Sequence, residues 1–299
     1  MLYIKFTKDY LEYFEEDCKY PDFLKKLIFT FRKFFGKITK IKNDNGEVVL
    51  IPEKSNKFKK SLMKFLKIYY VKTVVLANDL QEFREDIENQ KIKILDGKWL
   101  YKYLLSDVVD FVVKNKGVAL NEQTISFAVN SPDDIDLENL KNLARNCRSL
   151  NLITKDEYRF KKLEETMYKE DGVALNIAYN YKKSLLKSDI VINVDLNEKE
   201  FNKFAFPRKA VIINLKNVKI HSKGFNGINI LKYEIDFPKQ YENEILNLDS
   251  FNKEILYESY IYKRTAPKNI LTRIKRDGLQ VARLLGKNGY IDQKEYERV

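Results

Sequence analysis

The chain is poor in the residues that carry metal and covalent chemistry: its 299 residues include two cysteines and one histidine. That scarcity leaves no Cys/His cluster with metal-ligand spacing and no Cys/His or Ser/His pair to propose as a nucleophile and its base. Cys18 lies in EEDCKYP, where acidic neighbours disfavour a thiolate, and Cys147 falls on the apolar face of a helix. His221, in KIHSKGFNG, reads as a turn or strand-end residue rather than a general base. Two cysteines in different elements make no disulfide framework. No apolar run approaches the roughly 18 residues that cross a bilayer, and no signal-peptide pattern opens the sequence. These absences together predict a protein of the bacterial cytoplasm with no membrane span.

What is present is enough for real cores, with 44% hydrophobic and 13% aromatic residues. Fifty-five Lys and Arg against 43 Asp and Glu give a net charge of +12, and the excess is unevenly placed. Residues 19–72 hold fifteen bases against four acids, whereas residues 121–216 hold sixteen against fifteen. A helix from about Pro21 to Phe35 is expected to turn Phe23, Leu24, Leu27, Ile28, Phe31, Phe34 and Phe35 to one arc and Lys25, Lys26, Arg32 and Lys33 to the other. A second helix repeats the pattern, with Phe58, Leu62, Phe65, Leu66 and Tyr69 inward and Lys57, Lys60, Lys64 and Lys67 outward. Such faces admit a solvated lysine surface, a nucleic-acid phosphate backbone or an anionic membrane surface. A folded lobe's need for those Phe residues in its own core counts against the last.

From Thr124 to Leu215 short apolar runs alternate with amphipathic stretches, the mark of β-α units feeding a parallel sheet. Five strands are predicted: Thr124–Asn130, Ser149–Thr154, Val173–Tyr179, Ile190–Val194 and Ala210–Leu215. Leu137, Leu140, Leu143, Ala144 and Cys147 recur at helical spacing after the first, and Phe160, Leu163 and Met167 after the second. Any ligand would sit outside the carboxyl ends of these strands.

The stretch NLITKDEYRFKKLEETMYKEDGVALNIAYNYKKSLLKSDIVINVD, followed by PRKAVIINLKN, resembles the cofactor domain of shikimate dehydrogenases and glutamyl-tRNA reductases. The likeness covers about a third of the chain and rests on the apolar pattern and the "DIVINVD" phrase. It implies NADP as the cofactor, with Lys155 against its 2′-phosphate; apart from the resemblance, Asn130, Ser131 and Thr154 are polar groups at strand ends that admit a nucleotide lacking a pyrophosphate. The departures are substantial. Neither the Asn-Val-Thr-x-Pro-x-Lys-like motif of the dehydrogenases nor the Ser-Thr-Cys-Asn-Arg-like motif of the reductases occurs before residue 122.

The phosphate turn departs further. A glycine-rich turn lets a pyrophosphate approach the backbone at a helix N-terminus; here SFAVNSPDDIDL carries no glycine and three aspartates, Asp133, Asp134 and Asp136. Pro132 removes an amide donor. The aspartates read as N-cap and first-turn residues that satisfy the helix end internally. Their charge would repel a diphosphate by on the order of several kcal/mol in a partly dry crevice. The expectation is a non-catalytic Rossmann-like binding or scaffold protein without a cofactor, engaging a protein partner or itself. The alternatives are an NADP-dependent oxidoreductase and a nucleic-acid-binding protein that uses the basic first lobe.

The predicted fold class is therefore α/β: a Rossmann-like parallel-sheet domain with an N-terminal α/β lobe and C-terminal helices. Boundaries are expected at 1–117, 118–236 and 237–299. Asn45-Gly46 signals a hairpin, and Gly117 ends one long helix from Trp99 to Lys116. A short hairpin is expected around Gly224 and Gly227, and a basic helix from about Pro267 to Leu285.

Overall fold

Alternation of buried apolar strands with one-faced helices builds two sheets from successive parts of the chain. The computed structural model describes residues 1–9, 11, 14, 19–43, 46–178, 183–222, 224–237, 251–266 and 269–299. Cys18, Asn45 of the expected Asn-Gly turn, and Pro267 lie outside them.

The first sheet takes β1 (Leu2–Phe6), α1 (Asp22–Phe35), β2 (Thr39–Asn43), β3 (Gly46–Ile51), α2 (Asn56–Ile68), β4 (Thr73–Leu76), α3 (Arg84–Asn89) and β5 (Lys93–Leu95). Its strand order is β2-β3-β1-β4-β5, parallel except for the antiparallel β2-β3 pair. Ile4, Val49, Ile51, Val74 and Leu76 of the sheet close over Phe58, Leu62 and Leu66 of α2. That is the α/β lobe the sequence predicts.

The long helix expected from Trp99 to Lys116 is instead two, α4 (Lys98–Tyr103) and α5 (Leu105–Lys116), meeting at Leu104. Gly117 ends the second in the left-handed region at φ 68°, where an L side chain would be strained. β6 (Thr124–Ala128), α6 (Asp134–Asn146), β7 (Ser149–Ile153), α7 (Glu157–Asp171), β8 (Asn176–Ala178), β9 (Ile190–Asn193), α8 (Glu198–Phe201), β10 (Val211–Asn214) and β11 (Ile228–Ile230) follow. All pair in parallel, in the order β11-β10-β9-β6-β7-β8. Counted from β6 this is 3-2-1-4-5-6, the strand order of dinucleotide-binding folds, and it makes the unit Rossmann-like. β9 and β10 are buried throughout, as strands covered on both faces must be.

Among the described residues the expected hairpin around Gly224 and Gly227 does not form, because β11 after them pairs parallel with β10 before them. β11 extends the parallel sheet, while β12 (Lys232–Asp236) pairs elsewhere. Gly227 is required for another reason: a Cβ there would lie 2.0 Å from the Ala210 carbonyl oxygen.

Two helices, α9 (Lys253–Arg264) and α10 (Ile270–Asp277), come next. The basic helix expected to run to Leu285 stops at Gly278, in the left-handed region at φ 72°. The chain then forms β13 (Gln280–Gly286), β14 (Gly289–Tyr290) and the short α11 (Gln293–Tyr296). β13 pairs antiparallel with both β12 and β14, so its backbone groups are satisfied as a ladder rather than a helix. The chain divides into two compact units, each built from two stretches of sequence. One comprises residues 1–99 with 237–278, the other residues 100–236 with 279–299.

Candidate functional site

In an open parallel sheet of this order, ligands bind where the strand order reverses, beyond the carboxyl ends of strands 1 and 4. Here those are β6 and β9, neighbours in the sheet. The turn after β6 carries Asn130 and Ser131, whose amides face this crevice. Both are already taken: Asn130 N donates to Asp195 Oδ1 at 2.8 Å, and Ser131 N donates to Asp195 Oδ2 at 2.6 Å. Asp195 follows β9, so a carboxylate from across the switch point sits on two backbone amides as an anionic ligand would.

The start of α6 is closed in the same way. Asp133 is its N-cap, accepting from Asp136 N at 3.0 Å, while Asp136 Oδ2 accepts from Asp133 N at 3.1 Å, a reciprocal capping box. Lys102 of α4 donates to both carboxylates at 2.8 Å. Asn139 holds that lysine's backbone through its carbonyl at 2.8 Å. The Asp136 side chain is fully buried, and burial pushes its carboxyl up to about 6 against the pull of Lys102. The half-exposed Asp133 moves the other way, held below its ordinary value by Lys102 and by its hydrogen bonds with Asp136. Asp136 Oδ1 has no hydrogen-bond partner.

The other predicted site residues are tied into the same network. Asn130 Oδ1 accepts from Lys155 N at 3.0 Å, and buried Thr154 accepts from Asp156 N at 3.2 Å. Asp156 caps α7, as its position predicts. The Lys155 ammonium pairs with Glu200 of α8, whose carboxyl it holds below the ordinary value. Arg159 of α7 donates to the Pro132 carbonyl at 3.1 Å.

Along the neighbouring strand ends, buried asparagines do equivalent work. Asn193 at the end of β9 accepts from Leu196 N at 3.0 Å and donates to Asn214 Oδ1 at 3.3 Å. Asn214, in register with it on β10, donates to the Val218 carbonyl at 2.7 Å. Each asparagine thus folds its own strand-end loop back on itself. Asp195, Lys102 and this asparagine ladder were not singled out by sequence. An Asp directly after the apolar IVINV run was the available signal for the first.

Cys147 stands at the C-terminus of α6, with burial pushing its thiol up to about 11, and is therefore a poor nucleophile at neutral pH. His221 is exposed and hydrogen-bonds Glu198 at 2.7 Å. Among the described residues no group of three or more His, Cys, Asp or Glu is placed to hold a metal ion.

In the first unit the predicted basic residues lie on α1 and α2. Lys26, Lys33, Lys57, Lys60, Lys64 and Lys67 are exposed, and Lys25 and Arg32 half-buried. Arg32 donates to Thr39 Oγ1 at 2.6 Å, and Lys33 lies 4.0 Å from Glu53. No helix among the described residues is long and apolar enough to cross a membrane.

No protein-family model matches the chain, and no curated protein matches it. Among solved structures it is similar to L-tryptophan dehydrogenase from Nostoc punctiforme at 10% identity and a TM-score of 0.32, over 91% of this chain and 76% of that one. It is similar to aspartate transcarbamoylase from Trypanosoma cruzi at 12% identity and a TM-score of 0.30, over 89% and 83%. Likeness at this level leaves the fold to rest on the strand order above and says nothing of activity.

Proposed function

We propose that this is a Rossmann-like protein whose dinucleotide crevice has been given over to internal contacts, and that it serves as a non-catalytic binding or scaffold component. The observation that carries the reading is the Asp195 carboxylate on the Asn130 and Ser131 amides. Those are the donors a diphosphate would use, and the next anion-attracting feature, the N-terminus of α6, is capped by Asp133 and Asp136. Admitting a dinucleotide means expelling the Asp195 carboxylate and seating phosphates beside an Asp133–Asp136 pair whose charge Lys102 only partly cancels. Lys155, the residue that speaks for NADP, is engaged by Glu200.

Thermal unfolding with increasing NADPH or NADH tests this. A ligand that binds only the folded state raises the midpoint progressively once its concentration passes Kd. The reading predicts no shift up to millimolar nucleotide. A saturable rise would overturn it in favour of an NADP-dependent oxidoreductase.

A further inference from the structure

The first helix of the basic lobe presents its apolar side outward. At about 100° per residue, Phe23, Leu24, Leu27, Phe31, Phe34 and Phe35 share one arc of α1, and no residue of that 14-residue helix is buried. Phe23 is 72% exposed, Phe34 71%, Phe31 59% and Leu27 56%. The helix rests on its unit through a different stripe, the half-buried Lys25, Ile28, Phe29 and Arg32, which recur at i, i+3, i+4 and i+7. The Phe residues are therefore not spent on the lobe's own core, and the objection that sequence raises to a membrane role lapses.

The exposed rings form a continuous surface. Phe31 and Phe35 lie 4.5 Å apart between centroids, and Phe34 and Phe35 5.1 Å. Cations rim it: Lys57 Nζ sits 5.3 Å from the centre of the Phe34 ring, and Lys26 and Lys33 are exposed on the same helix. A groove of about 530 Å³ runs along one flank of α1, apolar at Leu27, Phe31 and Ile38 and cationic at Lys37 and Lys40. A second, of about 520 Å³, has Phe29 beside Lys33 and Lys54. Asp22, near Lys26, and Glu53, which lines the second groove near Lys33, interrupt a rim in which cations outnumber acids; an apolar centre with such a rim matches anionic headgroups over hydrocarbon. A nucleic-acid backbone would use the cations and leave the aromatic face in water.

We propose that α1 docks this protein in the plane of an anionic phospholipid surface, with Phe23, Leu27, Phe31 and Phe34 entering the acyl boundary and the surrounding lysines meeting the headgroups. This stands independently of the crevice, so either proposal can fail alone.

Co-flotation of the full chain with phosphatidylcholine vesicles, with and without about 30% phosphatidylglycerol, is the test. Partition is expected only with the anionic lipid, weakened about tenfold by Phe31→Ser with Phe34→Ser and by raised salt. Because those side chains lie outside the core, the variant's melting curve should match that of the parent chain. Leu27→Asn serves as a second probe if the double variant melts early. Absence of flotation at low salt, or flotation indifferent to both variants, would overturn the proposal. So would a wild-type dimer that the variants dissolve without any vesicle binding, since the occupant would then be a second copy of this chain.

Discussion

The crevice of the Rossmann-like unit and the first helix of the basic lobe treat their binding capacity in opposite ways. At the crevice, the amides, helix end and lysine that would receive a phosphate each meet a partner from within the chain: Asp195, the Asp133–Asp136 box and Glu200. On α1, apolar surface that folding would be expected to cover is left outside. α2 sharpens the contrast, since a nearly identical pattern of Phe, Leu and Lys there buries Phe58, Leu62 and Leu66. Amphipathic spacing declares that a face is apolar and not what covers it. A strand-order switch point can be intact in layout yet occupied by the chain's own side chains, while an exposed apolar face lies in the other unit.

The largest effect should separate the two basic helices. Leu62→Ala removes a fully buried side chain and is expected to cost about 2–5 kcal/mol in urea unfolding, whereas Leu27→Ala, at a half-exposed position, should stay within about 0.5 kcal/mol. Equal costs would mean that α1 has a covered face after all.

The next concerns a buried carboxyl in the first unit. Glu258 accepts from Gly97 N at 2.5 Å, and burial pushes its carboxyl up to about 8, with Asp96 adding to the rise and Lys93 opposing it. The folded value lies above the ordinary 4.5, so the native state binds the extra proton. Stability from this group is fully present below about pH 4.5 and is lost as pH climbs through about 8. Glu258→Gln should remove that slope, worth up to a few kcal/mol (about 1.4 per pH unit), when urea midpoints at pH 6 and pH 9 are compared. A slope that survives the substitution places the titration elsewhere.

Asp195→Ala bears on the crevice itself. Two amides lose their acceptor, for an expected cost of about 1–3 kcal/mol, and inorganic phosphate should recover part of it in the variant while leaving the parent chain unchanged. The smallest effect belongs to Lys155→Ala, whose side chain is half exposed in its pair with Glu200 and should contribute less than about 1 kcal/mol.

How far the sequence reveals this arrangement depends on the range of the interactions involved. Local signals read correctly: the strands from Thr124 to Leu215, the Asp133 and Asp156 caps and the Gly117 stop are set by neighbours within one turn or one strand. Asp277-Gly278 carried an equally local stop signal that the amphipathic run through Leu285 obscured. Residues that act across the chain were hidden. Asp195 meets Asn130 from 65 positions away, and β13 is a strand because β12, far earlier in sequence, offers it a ladder. The exposure of α1 was illegible for the reason its resemblance to α2 makes plain: periodicity is blind to partners.

The most direct measurement is a crystal structure determined with NADPH present at millimolar concentration. The account predicts Asp195 still bonded to the Asn130 and Ser131 amides and no diphosphate between β6 and β9. Density for a diphosphate held by those two amides, with Asp195 turned away, would contradict it.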